Sequence, residues 1–328
     1  MRRILLAALA ALTLLAVGVP TTGASAAGGL EGVPAFSKVF VIVGENTSLS
    51  QLDRKSAPYQ LGWVKPHSAW MTDYWGLSHW STSNYIAMTS GQFLECHQLD
   101  LKPAVCNQNI PTLFSQLDDA GVSWLSWNES MPEPCYLVNA GTSNDANSYR
   151  VKHNPALYFQ SVVGPDFSGT TGNAFCRAHD ISMGTTDRND TSTFDAALAS
   201  GSVARFNYIV PNQCEDGHDN CKPQGNPIRQ FDDFLAREIP KIMASPAWDA
   251  NSAIFVVYDE GQDGGPGKAK NHAGGHTPFA VIGGQVHEAQ YAEFANHYSL
   301  LRTWEDGFGI GTYLGGAGSA SPIAQIWD

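Results

Sequence analysis

The chain has 328 residues, 31 of them acidic against 19 Lys and Arg, and a formal net charge of −12. An acidic protein gains no general electrostatic help in holding DNA, RNA or an anionic bilayer, so nucleic acid is disfavoured as a partner.

Met1 to Ala27 reads as a secretory leader. Arg2 and Arg3 precede an apolar run from Ile4 to Val17, and Ala24-Ser25-Ala26 forms a small-residue cleavage site. The run is short for a bilayer span, and no later stretch is long and apolar enough to make one. The mature chain is therefore expected to be secreted, without an integral membrane segment. Loss of the two arginines leaves 17 basic against 31 acidic residues, a balance of −14. The remaining residues, 28–328, show neither repeats nor a low-complexity linker, which favours one domain. Six cysteines make an even set, as expected of disulfides in an exported chain. Cys96 and Cys106 lie close together, as do Cys214 and Cys221, leaving Cys135 with Cys176, although the count alone allows many other pairings.

Lys38 to Gly44 is a continuous apolar, β-branched run, as in a strand buried on both faces of a parallel sheet, and it ends in Glu45-Asn46. Next, Gly76 to Gly91 reads as a polar turn feeding a helix. Ser78, Ser81 and Ser83 offer N-cap hydroxyls, and Gly91 stops the helix. A hydroxyl at a helix N-terminus sits where free N–H groups and the helix dipole attract an anion.

Pro111 to Ala120 is predicted helical, and Val122 to Trp127 a strand. Asn139 to Asp190 is rich in Gly, Ser, Thr, Asn and Asp and reads as long loops, tied by a Cys135–Cys176 bridge. Ala204 to Val210 is another strand, ending in Pro211-Asn212 and a loop with Asp216, His218 and Asp219. The helical spacing of Phe231, Phe234, Leu235, Ile239 and Ile242 predicts a helix that Pro240 kinks or breaks. Ala253 to Tyr258 is a strand ending in Asp259-Glu260, Phe279 to Gly283 another, and His297 to Gly307 a final amphipathic helix. Strands alternating with helices predict α/β architecture. Three strands deliver acids, amides or imidazoles just past their carboxyl ends, the edge where open α/β sheets bind ligands.

Glu45, Asn46, Asp259 and Glu260 form an oxygen set suited to a hard divalent cation, which could also engage Ser81. The bland alternative is strand-end capping and surface ion pairs. His79, His153, His218, His272 and His276 read as loop residues able to grip an anion or move a proton. Lys152-His153-Asn154 and Asp216 to Asp219 are favoured among these, while His272 and His276 carry less weight. His67, His97, His179, His287 and His297 read as structural or surface residues. Gly261 to Gly275 lacks nucleotide-loop spacing and reads as a mobile loop. Trp80 could line a leaving-group pocket, although most tryptophans of such a chain pack the core.

In order, these pieces are Glu45-Asn46-x-Ser48, His79-x-Ser81-x-x-Asn84-Tyr85, Thr89-Ser90-Gly91, Lys152-His153-Asn154-Pro155, Pro211-Asn212, Asp216-x-His218-Asp219, Asp259-Glu260 and the His297 to Asp306 stretch. The combination resembles the bacterial phosphoesterase family of secreted acid phosphatases and phospholipases C, within the alkaline-phosphatase-like superfamily. That resemblance implies an alkaline-phosphatase-like sandwich, a mostly parallel central sheet with helices on both faces. It implies a nucleophile at Ser81, with His218 and His79 as further catalytic groups. Asn84, Lys152, His153, Asp219 and one of His272 or His276, here His276, are implied as substrate contacts. Glu45, Asn46, Ser81, Asp259 and Glu260 are implied as ligands of one divalent metal ion (Ca, Mg, Mn or Zn).

Two-zinc members of the superfamily carry Asp-His where this chain has Asp259-Glu260, which favours a single ion. Ser83 stands where Ser-x-Pro-Asn versions of the motif carry proline. The expected activity is hydrolysis of phosphate monoesters through a phosphoserine, by a monomer, on a small phosphorylated substrate or phospholipid. A phospholipase C-type phosphodiesterase is the alternative at the same site. A non-catalytic secreted protein that binds lipid or glycan is the alternative of another class.

Overall fold

The computed structural model describes residues 29–93, 99–263 and 273–328. Residues 1–27, where a secretory leader is expected, Cys96, His97 and His272 lie outside the described residues, as does the middle of the glycine-rich stretch before Gly275.

Among the described residues one sheet gathers nine strands: β1 (Lys38–Gly44), β2 (Ala69–Trp75), β3 (Trp124–Asn128), β4 (Asp180–Ser182), β5 (Phe206–Val210), β6 (Ser252–Tyr258), β7 (His276–Gly283), β8 (Ala289–Tyr291) and β9 (Ala295–Asn296). Their order is β4-β3-β5-β1-β6-β7-β2-β8, with β9 also on β2. The run from β4 to β6 is parallel throughout, and β7 is antiparallel to both its neighbours.

Alternation along the central strands supplies two cores. Val39, Val41 and Val43 face one side with Phe255 and Val257; Phe40 and Ile42 face the other with Ile254 and Val256. On the first side Tyr85, Ile86 and Met88 of helix Ser81–Ser90 pack with Leu300, Leu301 and Trp304 of helix His297–Gly307. On the second, helix Pro227–Ala244 buries Phe231, Phe234, Leu235, Ile239 and Ile242. Each such side chain contributes about 1.5–3 kcal/mol by leaving water. The fold is thus a mostly parallel sheet covered by helices on both faces.

Several local expectations need correction. The helix from Pro227 to Ala244 runs through Pro240 without a break, because its apolar stripe is anchored on both sides of the proline. No serine caps helix Ser81–Ser90: its N-cap is Trp80, with no side-chain cap bond. The third predicted strand starts at Phe206, not Ala204, and the second at Trp124, not Val122. Residues 139–190 are not all loop. They hold short helices at Gln160–Val163 and Ala174–His179, strand β4 and the buried Leu157, Tyr158 and Phe159. The Cys135–Cys176 and Cys214–Cys221 bridges are present, and Cys106 is disulfide-bonded.

Candidate active site

Register brings the acids together. Gly44 of β1 pairs with Tyr258 of β6, so Glu45 and Asp259 leave the sheet side by side, and the Asp259 N–H donates to the Gly44 carbonyl at 3.0 Å. Strand β5, on the other flank of β1, carries its chain into the loop of Asp216, His218 and Asp219. Strand β2 runs to the same edge and leads through Gly76 into the turn before Ser81. Gly76 has no room for a side chain, since a Cβ there would lie 2.8 Å from the carbonyls of Asp259 and Gly274.

Ser81 is the first residue of its helix, is buried, and its Oγ donates to Glu45 Oε2 at 3.0 Å. The other Glu45 oxygen, Oε1, lies 3.3 Å from His153 Nε2, while His153 Nδ1 lies 3.0 Å from Asp216 Oδ2. Glu45 therefore stands between two groups, with Ser81 and Asn46 on one oxygen and His153 on the other. Asn46 holds a positive φ of 45°. Its N–H donates to Asp259 Oδ1 at 3.2 Å. With its NH2 turned inward, its amide donates to Glu45 Oε2 at 3.2 Å and Glu260 Oε1 at 3.1 Å. With its carbonyl turned inward, three oxygens meet at one point, an arrangement that a cation satisfies.

Glu260 Oε2 takes a 2.7 Å hydrogen bond from His79 Nδ1. Burial pushes the Glu260 carboxyl up to about 7, against the pull of that bond. The same bond holds His79 above its usual range, against the effect of burial. Burial also raises Glu45, and burial together with the Glu45 charge raises Asp259. Full burial drives His153 well below the usual imidazole range.

The fit to a metal ion can be judged from the donors. Glu45 Oε1, Asp259 Oδ2, Asp216 Oδ2, His153 Nε2 and His79 Nε2 are buried with no hydrogen-bond partner among the described residues. Such atoms cost free energy unless a ligand engages them. Three carboxylates, Glu45, Asp259 and Glu260, converge here with Lys152 and His79 as nearby cationic groups, and such an oxygen-rich set suits a hard divalent cation. Among the described residues, the ligand-type atoms of Glu45, His153 and His218 also all lie within 4.8 Å of one another. An imidazole side of Glu45 thus adjoins its oxygen side.

The remaining expected residues divide. His218 Nδ1 lies 2.8 Å from Asp219 Oδ1 and 3.1 Å from Gln213 Nε2. Asp219 Oδ2 accepts from Ser143 and the Asn144 N–H, so the carboxylate faces His218 and its own loop. Lys152 pairs with Asp100 at 3.1 Å, and the charges of Glu45, Asp100 and Asp259 outweigh burial to raise its ammonium above the usual lysine range.

Asn84 is not turned outward. Its Oδ1 accepts from the N–H groups of Leu77 and Ser78 at 3.0 and 3.1 Å, and its Nδ2 donates to the Ser78 carbonyl at 2.8 Å. In this structure it holds the turn that presents Ser81. His276 is also displaced from the expected role. It begins strand β7, stacks on Trp75 at 4.6 Å, and its Nε2 contacts the Thr72 carbonyl at 2.8 Å. Trp80 is 40% exposed at the mouth of the helix.

Three further residues support the site, of which only Asp100 lies outside the motifs read from the sequence. Asp100 accepts from the Thr82 N–H at 3.0 Å, so this helix N-terminus already carries a carboxylate. His297 fixes the Asp259 main chain through a 2.6 Å contact from Nε2 to the Asp259 carbonyl. Tyr85 stacks its ring on His153 at 5.5 Å between centroids. Tyr85 and His297 fall within the motif pieces without a role attached, and Asp100 carries no spacing signal because it meets the site only through the fold.

The fold that carries this site is a mostly parallel sheet covered by helices on both faces. Solved structures share it: the lipoteichoic acid synthase LtaP of Listeria monocytogenes aligns with TM-score 0.53 and 14% identity over 85% of this chain and 73% of its own. An alkaline phosphatase superfamily protein from Vibrio parahaemolyticus aligns with TM-score 0.52 and 12% identity over 87% and 69%. Residues 34–311 match the Phosphoesterase family, and the chain belongs to that family.

Two curated relatives are the phosphatidylinositol-3-phosphatase of Mycobacterium tuberculosis and a probable acid phosphatase of Kluyveromyces lactis. The first is 27% identical, covering 94% of this chain and 87% of that protein. The second is 25% identical over 83% of this chain, which spans only 58% of that protein's length.

Proposed function

We propose that this chain is an exported, metal-dependent phosphatase that hydrolyses phosphate monoesters through a phosphorylated Ser81. The observation that carries the reading is the placement of Ser81 Oγ, buried at the start of a helix and 3.0 Å from Glu45 Oε2, at the sheet edge where unpartnered acid and imidazole atoms converge. The names of the curated relatives, acid phosphatase and phosphatidylinositol-3-phosphatase, favour monoesters over diesters. Export is supported by the leader-like N-terminus and by the Cys135–Cys176 and Cys214–Cys221 bridges, which persist in oxidising compartments.

In this reading Ser81 Oγ attacks phosphorus as the bond to the leaving oxygen breaks, and the serine proton leaves along the bond to Glu45 Oε2. His218, oriented by Asp219 through Nδ1, gives a proton to the leaving oxygen from Nε2. His79, tied at Nδ1 by Glu260, presents Nε2–H to a phosphoryl oxygen. Lys152 adds positive charge, and Asn84 keeps the turn that aims Ser81. Water then attacks the phosphoserine as its bond to Ser81 Oγ breaks; the water proton goes to His218 and Glu45 returns its proton to Ser81 Oγ. A divalent ion held by Glu45, Asn46, Ser81, Asp259 and Glu260 supplies Lewis-acid stabilisation of charge on the phosphoryl group.

Hydrolysis of p-nitrophenyl phosphate and of p-nitrophenylphosphorylcholine by the wild-type chain tests this. Preference for the monoester is expected. Preference for the diester overturns the monoester assignment in favour of the phospholipase C reading. Rates no higher than those of Ser81→Ala on both esters leave a binding protein.

A further inference from the structure

Several groups fasten the loop that carries Asp216, His218 and Asp219 from outside, among them Ser143, the Asn144 N–H, His153 and Arg237. Gln230, on helix Pro227–Ala244, is buried, and it uses its whole amide on this loop. Its Nε2 donates to the carbonyls of Cys214 at 2.5 Å and Asp219 at 2.8 Å, and its Oε1 accepts from the Cys221 N–H at 2.9 Å. The Cys214–Cys221 bridge closes the loop across the same points. Inside it, Asp216 Oδ1 accepts from the His218 N–H at 2.8 Å, and the Asp219 N–H donates to the Gln213 carbonyl at 2.8 Å. Gly217, between the two acids, sits at φ 95°, a backbone state that resists substitution. The loop is thus braced within itself; the Glu45 N–H holds its Asp216 carbonyl at 2.8 Å, and Gln230 ties the Asp219 end, next to His218, to helix Pro227–Ala244.

We propose that Gln230 is a positioning residue for His218, acting through the loop backbone and touching neither substrate nor metal. The inference rests on the reading of His218 as the group that protonates the leaving oxygen. Both donors and the acceptor are required at once, so glutamate cannot substitute: its carboxylate would face the two carbonyls.

The test uses the full chain with divalent ion present and a series of phosphate monoesters, from p-nitrophenyl phosphate, whose leaving group needs little protonation, to an alkyl phosphate, which needs it fully. General acid catalysis contributes about 100-fold to 10,000-fold where the leaving group is poor. Gln230→Glu and Gln230→Ala are expected to lower kcat/KM, which reports the step that expels the leaving group, on the alkyl ester by at least about tenfold. The loss of kcat/KM on p-nitrophenyl phosphate should be much smaller, so the dependence of kcat/KM on leaving-group basicity steepens.

Thermal melting identifies variants that are folded at the assay temperature. An equal loss on every ester in a folded Gln230 variant, or no loss on any, overturns the proposal. Should Gln230→Ala not fold, Gln230→Glu and the Cys214→Ser/Cys221→Ser double variant carry the same comparison. His218→Ala separates this claim from the one beneath it. If that variant loses activity evenly across the series, His218 is no general acid and the underlying reading fails. If its loss steepens with leaving-group basicity while that of Gln230→Glu does not, only the role of Gln230 falls.

Discussion

Replacing Asn84 with alanine removes four hydrogen bonds from the turn before Ser81, three short ones to the Leu77 N–H, the Ser78 N–H and the Ser78 carbonyl and a longer one, at 3.4 Å, to the Trp80 carbonyl. Asn84 is fully buried, so water does not replace its amide freely. At about 1 kcal/mol net per bond, with more where a buried group is left unpaired, the loss should be about 3 kcal/mol or greater. For a domain of this size that corresponds to a fall of roughly 6 °C or more in Tm. Because the turn aims the nucleophile, kcat should fall with stability.

The assay pairs thermal melting with steady-state hydrolysis of p-nitrophenyl phosphate and competitive inhibition by inorganic phosphate. The expected outcome is a lower Tm and lower kcat, with affinity for inorganic phosphate changed by less than about threefold, well under the effect of losing a hydrogen bond to a charged group. Unchanged stability with phosphate affinity reduced tenfold or more would refute the reasoning, and would return Asn84 to the role of phosphate contact that its motif suggests.

Stability should also respond to pH through carboxylates remote from the serine. Asp180 is fully buried beneath hydrogen bonds from Asn128 and Asn154, and burial raises its carboxyl to about 7 from an ordinary value of 3.8. The folded state therefore holds a proton that the unfolded chain releases between those values, so Asp180 makes stability fall as pH rises from about 4 to about 7. Asp180→Asn should flatten urea-denaturation stability across that window, and an unaltered slope would contradict the assignment. Chelation supplies a further check. Dialysis against EDTA should lower both Tm and activity, and adding a divalent ion back at about 100 times its Kd should restore about 2.7 kcal/mol of stability. A melting curve indifferent to chelation would argue against the oxygen-ligand site.

The strands that deliver the acids were legible because β1 and β6 are buried on both faces and read as apolar runs with the chemistry beginning at the next residue, while β5, buried throughout despite Asn207, leads through Pro211-Asn212 to Asp216. That pattern also placed Glu45, Asn46, Asp259 and Glu260 on one edge. What could not be read was direction. Asn84 and His276 are of the expected residue types, but the first turns back onto its own turn and the second onto the Thr72 carbonyl. A motif specifies residues, whereas the tertiary fold decides which way each side chain points. Asp100 and His297 meet the site by long-range packing that no local period encodes, and the Asp180 network depends on β3 pairing with β4. The imidazole side of Glu45 emerged in the same way. It depends on the turn Val151–His153 being laid against the loop after β5, two segments far apart in sequence.

The most direct test of the account is to trap the covalent intermediate. The chain is mixed with a phosphate monoester, quenched in acid during turnover, and digested for peptide mass spectrometry. The account predicts one phosphoryl group on the peptide containing Ser81, absent from Ser81→Ala, which should also lose turnover. Phosphate found on a histidine, or near-normal turnover by a folded Ser81→Ala variant, would contradict it.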